Sequence, residues 1–257
     1  MNITEAVDAL LRAEKTKETI NPFTSHTAIT KETAYQIQLD LIHHKVTNGA
    51  KVVGKKIGLT SKVMQEMLGV DIPDYGHLLD NMMYEEDATI SLAEFIQPKV
   101  EFEIGFVLKE KLQGPGVKVE DVIKATDYVV PTIEIIDSRI KDWKFKFEDT
   151  VADNGSSAGA IIGKTRKSLQ EINLPDVYMS LYKNNALIDS AYGSAVMGDP
   201  IKAVAWLANE VGAYDISLDP GEVILAGALS KALPIEAGDI FKANFENLGS
   251  VSAIFKK

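Results

Sequence analysis

Three glutamates lie in apolar segments of the chain, where strand geometry can bring them together. In segment 99–108, Glu101 and Glu103 alternate with aliphatic and aromatic residues, so both carboxylates lie on one face of the predicted strand. At about 3.3 Å rise per residue their roots are roughly 7 Å apart, close enough to converge on one ion. Glu134 lies in a second apolar segment, 128–137, where a buried strand would carry an aliphatic residue. An unpaired buried carboxylate is costly, so Glu134 requires a partner, a shifted pKa or a metal ion.

The chemistry of these acids limits the choice of ion. The chain contains no cysteine, so the three carboxylates form an oxygen-only ligand set, which suits Mg²⁺ or Mn²⁺ better than zinc or copper. The acids alone leave a second interpretation open, in which two acids lie on the solvated face of a strand and the third is a satisfied core glutamate. A binding module whose acids hold only a structural ion is a further alternative.

Two consecutive lysines provide a candidate base. Lys55 and Lys56 follow Gly54 in a short β-like segment, and only one of them can point inward on a strand. A lysine near a cation is pushed toward its neutral form by charge repulsion and desolvation, which makes it a usable base. An ordinary surface lysine pair is the alternative, and the strand pattern leaves open which lysine points inward.

Two turn-rich segments can border a pocket. In segment 71–80, Asp74 and Tyr75 are interpreted as turn formers, whereas Asp80 remains a candidate for catalysis. Segment 150–157 reads TVADNGSS and can offer hydroxyl, amide and backbone donors to an anionic ligand. The chain has no Gly-x-Ser-x-Gly motif, which excludes a serine hydrolase of that type.

Two basic features follow the second acidic segment. Arg139 can pair with a substrate carboxylate or form a structural ion pair with Asp137 or Asp142, and the structural pair is favoured. Segment 143–147 reads WKFKF, and such alternation can indicate nucleic-acid binding. We interpret its three aromatic residues as one buried strand face, since the chain is acidic.

Composition excludes several classes of protein. The net charge of −10 and the pI near 5.0 argue against nucleic-acid binding, which needs a basic surface. They are compatible with an anionic small molecule, because a metal ion and a few lysines can reverse the local field. Without cysteine there is no disulfide framework or thiolate nucleophile. The N-terminus lacks the apolar core of a signal peptide, and no apolar stretch has the length of a membrane span. We therefore expect a cytoplasmic protein without a membrane partner.

Periodicity predicts an α+β fold in one piece. Residues 1–50 form an N-terminal helical region, in which Thr30 is the N-cap of a helix that ends at Asn48 and Gly49. Residues 51–257 form a β-rich, metal-binding catalytic domain. The predicted elements are strands over 52–57, 99–109 and 128–136, helices over 61–68, 119–127 and 200–211, and a hairpin over 179–189.

Six motifs, taken in order, resemble one family. They are KKIGLTS (55–61), PDYG (73–76), QPKVEFE (97–103), EIIDSR (134–139), VADN (151–154) and LGSV (248–251). The family is the 2-oxopent-4-enoate hydratase and 4-oxalocrotonate decarboxylase branch of the fumarylacetoacetate hydrolase superfamily, and the resemblance covers nearly the whole chain. It implies a rolled mixed β-sheet with an N-terminal helical region. It also implies a homo-oligomer, and it allows association with the other lyase of the pathway.

The resemblance assigns roles to particular residues. It implies a divalent cation, Mg²⁺ or Mn²⁺, held by Glu101, Glu103 and Glu134. The family's lysine matches Lys56, which we expect to be the principal proton-transfer residue, with a pKa lowered by the cation. Asp80 is the next candidate for this role.

The implied reaction is hydration of 2-hydroxypenta-2,4-dienoate (2-oxopent-4-enoate) to 4-hydroxy-2-oxopentanoate, in meta-cleavage degradation of aromatic compounds. Decarboxylation of 4-oxalocrotonate is the alternative, because stabilisation of the same enolate serves both reactions. A hydratase of a longer dicarboxylic dienoate is less favoured. The motifs are mixed, since PDYG and Gln97-Pro98 resemble the hydratases, whereas Ser156-Ser157 resembles the decarboxylases.

Recognition of the substrate tail is expected to decide the reaction. Two segments, one around Leu79 and one containing Asn154 and Ser157, are expected to close opposite sides of the pocket. Leu79 would supply apolar contact or a backbone donor, and Ser157 a hydroxyl. No arginine lies in either segment, which favours a short neutral tail and hence hydration, whereas an inward-facing Arg139 would reverse this preference.

Overall fold

Two N-terminal helices begin at residues that cap them, in a computed structural model that describes residues 1–62, 65–66 and 69–257. Helix α1 (Ile3–Thr16) follows Asn2, whose side chain accepts a hydrogen bond from a backbone N–H of the first turn. Helix α2 (Lys31–Thr47) follows Thr30, as predicted, and ends at Asn48. The helix predicted over 61–68 includes positions 63, 64, 67 and 68, which lie outside the described residues.

A mixed sheet of eight strands forms the larger part of the fold. Its strands are β1 (Val52–Gly58), β2 (Asp74–Leu79), β3 (Met83–Tyr84), β5 (Lys99–Leu108), β6 (Thr126–Ile136), β7 (Ser157–Ile162), β10 (Val223–Ala228) and β11 (Leu233–Pro234). The order is β2-β1-β10-β5-β6-β7-β3, with β11 beside β5. The β1–β10 and β3–β7 pairs are parallel, and the other pairs are antiparallel.

This larger sheet is rolled. Two strands separate β1 from β6, so a flat sheet would hold them about 14 Å apart, at about 4.8 Å per strand. Instead, Nζ of Lys56 in β1 lies 3.8 Å from Oε1 of Glu134 in β6. The amide side chain of Asn154, just before β7, hydrogen-bonds the backbone N–H and C=O of His77 in β2 at 2.8 Å and 3.0 Å. These contacts bring distant strands around one cavity.

A smaller sheet packs against the larger one. Its strands are β4 (Thr89–Ser91), β8 (Tyr178–Lys183), β9 (Ala186–Tyr192), β12 (Ile240–Phe245) and β13 (Gly249–Lys256), in the order β4-β13-β12-β8-β9. The predicted hairpin is β8–β9, whose two turn residues Asn184 and Asn185 have φ of 53° and 67°. Positive φ at both positions is the requirement of a type I′ turn, which asparagine tolerates.

Three further helices complete the described fold: α3 (Val119–Ala125), α4 (Phe147–Ala152) and α5 (Pro200–Gly212). Leu10 of α1 and Tyr35 of α2 lie in the same buried core as Phe102 and Phe241 of the two sheets. The predicted α+β class is confirmed, whereas the boundary between residues 50 and 51 stays a prediction. In the described parts of the chain, no helix combines the length and apolar character needed to cross a membrane.

Segment 143–147 is not a strand, so its interpretation as one buried strand face is wrong. Residues Lys141–Trp143 form a 3₁₀ turn in which Asp142 and Trp143 both have φ of 57°. Phe147 begins α4. The alternation of aromatic and basic residues therefore reflects a loop followed by a helix, and Trp143 and Phe145 remain half-buried.

Candidate metal centre

Strand register brings the three glutamates together. In the antiparallel β5–β6 pair, Glu101 lies directly opposite Glu134, and Glu103 lies opposite Thr132. Glu101 and Glu103 share one face because they are two residues apart, as the alternation predicts. One carboxylate oxygen from each glutamate lies within 4.8 Å of the others.

These carboxylates have few partners within the protein. Glu103 and Glu134 are fully buried. Oε2 of Glu103 accepts a hydrogen bond from Gly227 N–H at 2.7 Å, but Oε1 of Glu103 and both oxygens of Glu134 have no hydrogen-bond partner among the described residues. Three unpartnered, buried carboxylate oxygens side by side are an arrangement that a cation would satisfy.

The pKa values of the three acids agree with this interpretation. Burial raises the pKa of Glu134 to about 7, opposed by Lys56 and reinforced by Glu101. The pKa of Glu103 is raised well above its usual range by burial and by the two neighbouring glutamates, and burial also raises that of Glu101. Without a cation, the charged form of each acid is therefore disfavoured. A set of hard oxygen ligands fits a divalent ion such as Mg²⁺.

Alternation along β1 gives its two lysines different environments. Lys56 faces the glutamates, whereas Lys55 faces away and donates hydrogen bonds to both carboxylate oxygens of Glu222 at 2.8 Å and 2.7 Å. Burial favours the neutral amine of Lys56, but Glu134 and the other nearby carboxylates outweigh it and raise its pKa. The predicted lowering of this pKa concerns the cation-loaded site, because only a cation would cancel the surrounding negative charge.

Asp74 is a member of this site that the sequence interpretation missed. It begins β2 instead of forming a turn, is 2% exposed and lies opposite Gly58. Its Oδ1 has no hydrogen-bond partner in the described part of the protein. Burial raises the pKa of Asp74, and Lys56 is the charged group that most opposes this shift. A buried, partly satisfied acid beside a lysine is a candidate for proton transfer.

The turn before β7 presses against Lys56. Gly155 has φ of 57°, and a Cβ placed on it would come within 2.7 Å of Cε of Lys56. A side chain is therefore excluded at this position both by the left-handed backbone and by the lysine. Ser156 lies beside Gly155, and both residues line the cavity.

Glu101 and Lys56 border a cavity of about 710 Å³, and the buried Glu103 and Glu134 lie beside Glu101. Its wall combines a polar end, formed by Lys56, Asp74 and Glu101, with apolar residues. The apolar part includes Leu59, Ile136, Trp143, Phe145, Ala195, Ala228 and Leu229. A small organic acid would meet carboxylates and a lysine at one end and a hydrocarbon surface along its chain.

Known proteins share this architecture. Residues 48–255 match the model of the family described as fumarylacetoacetate (FAA) hydrolase C-terminal. The chain belongs to the fumarylacetoacetate hydrolase family. It is 47% identical over 249 residues to a 2-hydroxyhexa-2,4-dienoate hydratase of Comamonas testosteroni, covering 96% of this chain and 94% of that protein. It is 43% identical to a 2-hydroxypent-2,4-dienoate hydratase of Pseudomonas putida, covering 84% and 98% of the two proteins.

A solved structure shows the same fold. The 4-oxalocrotonate decarboxylase from Pseudomonas putida G7, complexed with magnesium and adipate, superposes with a TM-score of 0.95 at 36% identity, covering 98% of this chain and 97% of that one. The predicted membership in the hydratase and decarboxylase branch of the fumarylacetoacetate hydrolase family is therefore confirmed.

The residue predicted to bind the substrate tail, Leu79, and the second catalytic candidate, Asp80, lie away from the cavity lining. Leu79 is the last residue of β2 and is buried in a separate core cluster with Ile42 and Leu225. Asp80 follows it, is exposed, and accepts backbone hydrogen bonds from Lys51 and Asn81 at 3.0 Å. Six residues of extended chain place Asp80 roughly 20 Å from Asp74 at the cavity. Residues 78–80 are not among those that line the cavity, and their contact with a substrate stays a prediction.

Arg139 does not face the cavity. Its guanidinium is 2% exposed, forms an ion pair with Asp153, and donates hydrogen bonds to the backbone C=O of Asp137 and Ser157 at 2.9 Å and 3.1 Å. The structural pair favoured by the sequence is present, but its partner is Asp153 and neither Asp137 nor Asp142. With its donors directed at these groups, Arg139 holds the turn before β7.

Asn154 and Ser157 lie near the cavity in different ways. The side chain of Asn154 is committed to the backbone of His77 and fixes the turn. Ser157 is buried, and its hydroxyl lies near the carboxylate of Glu134 and favours the charged form of that acid. Ser156 lines the cavity instead. Contacts of Asn154 and Ser157 with a substrate stay predictions.

Proposed function

We propose that this protein is a divalent-metal-dependent hydratase that adds water to 2-hydroxypenta-2,4-dienoate or a close homologue, giving a 4-hydroxy-2-oxo acid. The observation that carries this proposal is the cluster of Glu101, Glu103 and Glu134, in which three buried carboxylate oxygens have no partner among the described residues. The cluster faces Lys56 and adjoins a cavity with an apolar wall. The hydratase names of two relatives at 47% and 43% identity support the reaction class.

Glu101, Glu103 and Glu134 would hold the metal ion. When bound, Mg²⁺ or Mn²⁺ supplies Lewis-acid stabilisation of negative charge on the substrate's carboxylate and C2 oxygen. With one charge on each of four acids and one on Lys56, the ionised site carries a net charge of −3 (4 − 1), so an anionic substrate requires this compensation. The magnesium in the similar decarboxylase structure supports the choice of a divalent ion.

Lys56 and Asp74 would move the protons. In the metal-free site the surrounding acids keep Lys56 protonated, and a bound cation would lower its pKa so that it can exchange protons. Its ammonium would donate a proton to C5 of the dienol, and the amine so formed would take the proton that leaves the C2 hydroxyl as the ketone forms. Water would then add at C4 of the conjugated enone, with Asp74 accepting the proton of that water and Lys56 protonating C3, and transfer of the proton from Asp74 to Lys56 would restore both groups. This pairing of a donor and an acceptor in one buried cavity is the arrangement that general acid–base catalysis requires.

Decarboxylation of 4-oxalocrotonate is the second candidate. A TM-score of 0.95 to a 4-oxalocrotonate decarboxylase favours it, and stabilisation of an enolate serves departure of CO₂ as well as hydration. The two reactions differ in the tail of the substrate, and the arginine-based preference for a neutral tail does not hold, because three lysines line the cavity beyond Lys56.

The deciding experiment follows both substrates with both readouts. Purified protein with Mg²⁺ is given 2-hydroxypenta-2,4-dienoate and, separately, 2-oxohex-3-enedioate, and 4-hydroxy-2-oxo acid and released CO₂ are quantified. Metal-dependent water addition without CO₂ supports the hydratase. Metal-dependent CO₂ release from the dicarboxylate as the faster reaction contradicts it and supports the decarboxylase. Turnover that survives complete chelation contradicts both. Assembly into a homo-oligomer stays a prediction.

A further inference from the structure

One lysine of the cavity lies beyond the metal centre along the same face of β5. Lys99 is two residues before Glu101, so both side chains point to the same side of the sheet. Across the strand pair, Lys99 lies opposite Ile136, next to the Glu101–Glu134 pair. A planar acid with its head at the glutamates therefore extends toward Lys99 if its tail follows the strand.

The ammonium of Lys99 is held in place by an aromatic ring. Its Nζ lies 4.1 Å from the centroid of the Trp143 ring. The indole N–H of Trp143 donates a hydrogen bond to the backbone C=O of Gln97 at 3.1 Å, which fixes the ring beside the same strand. Cation–π contact of this kind orients an ammonium but leaves N–H donors free for an anion.

The backbone that presents Trp143 is strained. Asp142 and Trp143 are consecutive and both have φ of 57°. A left-handed conformation is uncommon for a residue with a bulky side chain and is concentrated at functional sites. The indole of Trp143 lines the cavity, where it contacts Lys99.

Lys99 is a half-buried cation without a carboxylate partner at ion-pair distance in the described structure. This distinguishes it from Lys55, which is paired with Glu222, and from Lys56, which faces Glu134. The two other lysines that line the cavity, Lys144 and Lys231, are exposed, and Lys144 forms an ion pair with Asp142 at 3.9 Å. Glu101 is the acid whose charge acts on Lys99, and a metal ion at the glutamates would compensate that charge. A partly desolvated ammonium with no direct ion pair, in a cavity for organic acids, is a recognition group for an anion.

We propose that Lys99, held by Trp143, is a specificity-determining residue that pairs with a second carboxylate at the far end of the substrate. The inference rests on the proposed function, because the acid's head must occupy the metal centre for its tail to reach Lys99. It extends the substrate class from dienoates with a neutral tail to those that end in a carboxylate. Trp143 is a positioning residue in this scheme.

The test compares two acids that differ only at the tail. 2-Oxohexanoate and 2-oxoadipate each have six carbons and the same metal-chelating head, but only 2-oxoadipate has a second carboxylate. Binding of both to the Mg²⁺-loaded protein is measured by calorimetry for the wild type and for Lys99→Met, Lys99→Arg and Trp143→Leu. Lys124→Met, which removes an exposed lysine paired with Glu110, is the matched control for the change in net charge.

We expect Lys99→Met to weaken 2-oxoadipate binding by tenfold or more and 2-oxohexanoate binding by less than threefold. Lys99→Arg should keep most of the preference, Trp143→Leu should lose part of it, and Lys124→Met should change neither constant. Equal losses for both acids, or no loss for either, would overturn the role of Lys99 while leaving the proposed function intact. Failure of the wild type to bind either acid in the presence of Mg²⁺ would instead overturn the proposed function and this inference with it.

Discussion

Replacing Glu134, a proposed metal ligand, should stabilise the metal-free protein. Glu134 is fully buried, and its two carboxylate oxygens have no hydrogen-bond partner in the described structure. The nearest cation, Nζ of Lys56, is 3.8 Å away, beyond hydrogen-bond distance. Glu134→Gln keeps the shape of the side chain and removes the charge, so it removes a desolvation cost that the metal-free fold cannot offset.

The magnitude follows from the pKa of Glu134. Its folded value of about 7 lies above the ordinary 4.5, so between these pH values the folded protein binds a proton more tightly than the unfolded chain. The free energy of unfolding therefore falls as pH rises from 4.5 to 7 and stays low above that range. At about 1.4 kcal/mol per pKa unit, the loss is about 3 kcal/mol at pH 8. We expect the free energy of unfolding of the metal-free variant to exceed that of the wild type by about 2–3 kcal/mol at pH 8. At pH 4.5 the two free energies should be equal.

Urea unfolding with a chelator, at pH 8 and at pH 4.5, measures this difference. Mg²⁺ at one thousand times the wild-type Kd should then reverse the order at pH 8, because binding adds about 4.1 kcal/mol to the free energy of unfolding of the wild type and little to that of the variant. The matched control is Glu222→Gln. Glu222 is also a buried glutamate beside a β1 lysine, but it accepts two hydrogen bonds from Lys55, so its loss should destabilise the protein by about 3–5 kcal/mol.

A destabilised metal-free Glu134→Gln variant at pH 8 would refute the reasoning. It would mean that the carboxylate is satisfied by the protein itself and does not await a cation. Unfolding of the wild type on chelation alone would favour the alternative in which the acids hold a structural ion.

Three further outcomes test the site. Lys56→Met should lower kcat by about 10²–10⁴ with metal binding retained, measured by turnover and calorimetry, and near-normal turnover would assign the proton donor elsewhere. Asp74→Asn should lower kcat by at least about tenfold, whereas Asp80→Asn should leave it within about twofold, and the reverse order would restore Asp80 as the catalytic acid. Burial and then Lys55 lower the pKa of His77 to about 3, so wild-type stability should fall from pH 6.5 toward pH 3, by up to about 5 kcal/mol from this group. His77→Gln should flatten that decline in urea unfolding, and an unchanged acid slope would contradict it.

The sequence predicted the features of the site that depend on local periodicity. Alternation along β5 placed Glu101 and Glu103 on one face, and an acid within an apolar segment identified Glu134. The register that sets Glu101 opposite Glu134 depends on pairing between residues far apart in the chain, which no local pattern encodes. The roll of the sheet, which brings Lys56 to these acids, likewise depends on contacts between distant strands.

The two errors in secondary structure have opposite physical causes. Segment 71–80 is rich in turn formers, which indicates a turn at Asp74 and leaves Asp80 as a catalytic candidate. Pairing with β1 instead makes most of this segment a strand. Tertiary pairing thus overrode local turn propensity. The loop around Trp143 was missed for the opposite reason. Its alternating pattern resembles a strand, whereas its left-handed backbone at two consecutive residues follows from no sequence signal.

In this fold, buried charges that form ion pairs stabilise the structure, whereas buried carboxylates without partners lie at the candidate site. Lys55 forms an ion pair with Glu222 on the outer face of the rolled sheet. Arg139 forms an ion pair with Asp153 behind the turn before β7. Inside the roll, the acid facing Lys56 keeps unpartnered oxygens. Buried charges without partners persist only where the surrounding structure fixes them. The two ion pairs supply that rigidity. The Lys55–Glu222 pair anchors the strand that carries Lys56, and the Arg139–Asp153 pair anchors the turn whose Gly155 contacts Lys56. A cation and an anionic substrate would then meet charges that are already in position, without a cost of reorganisation at the moment of reaction.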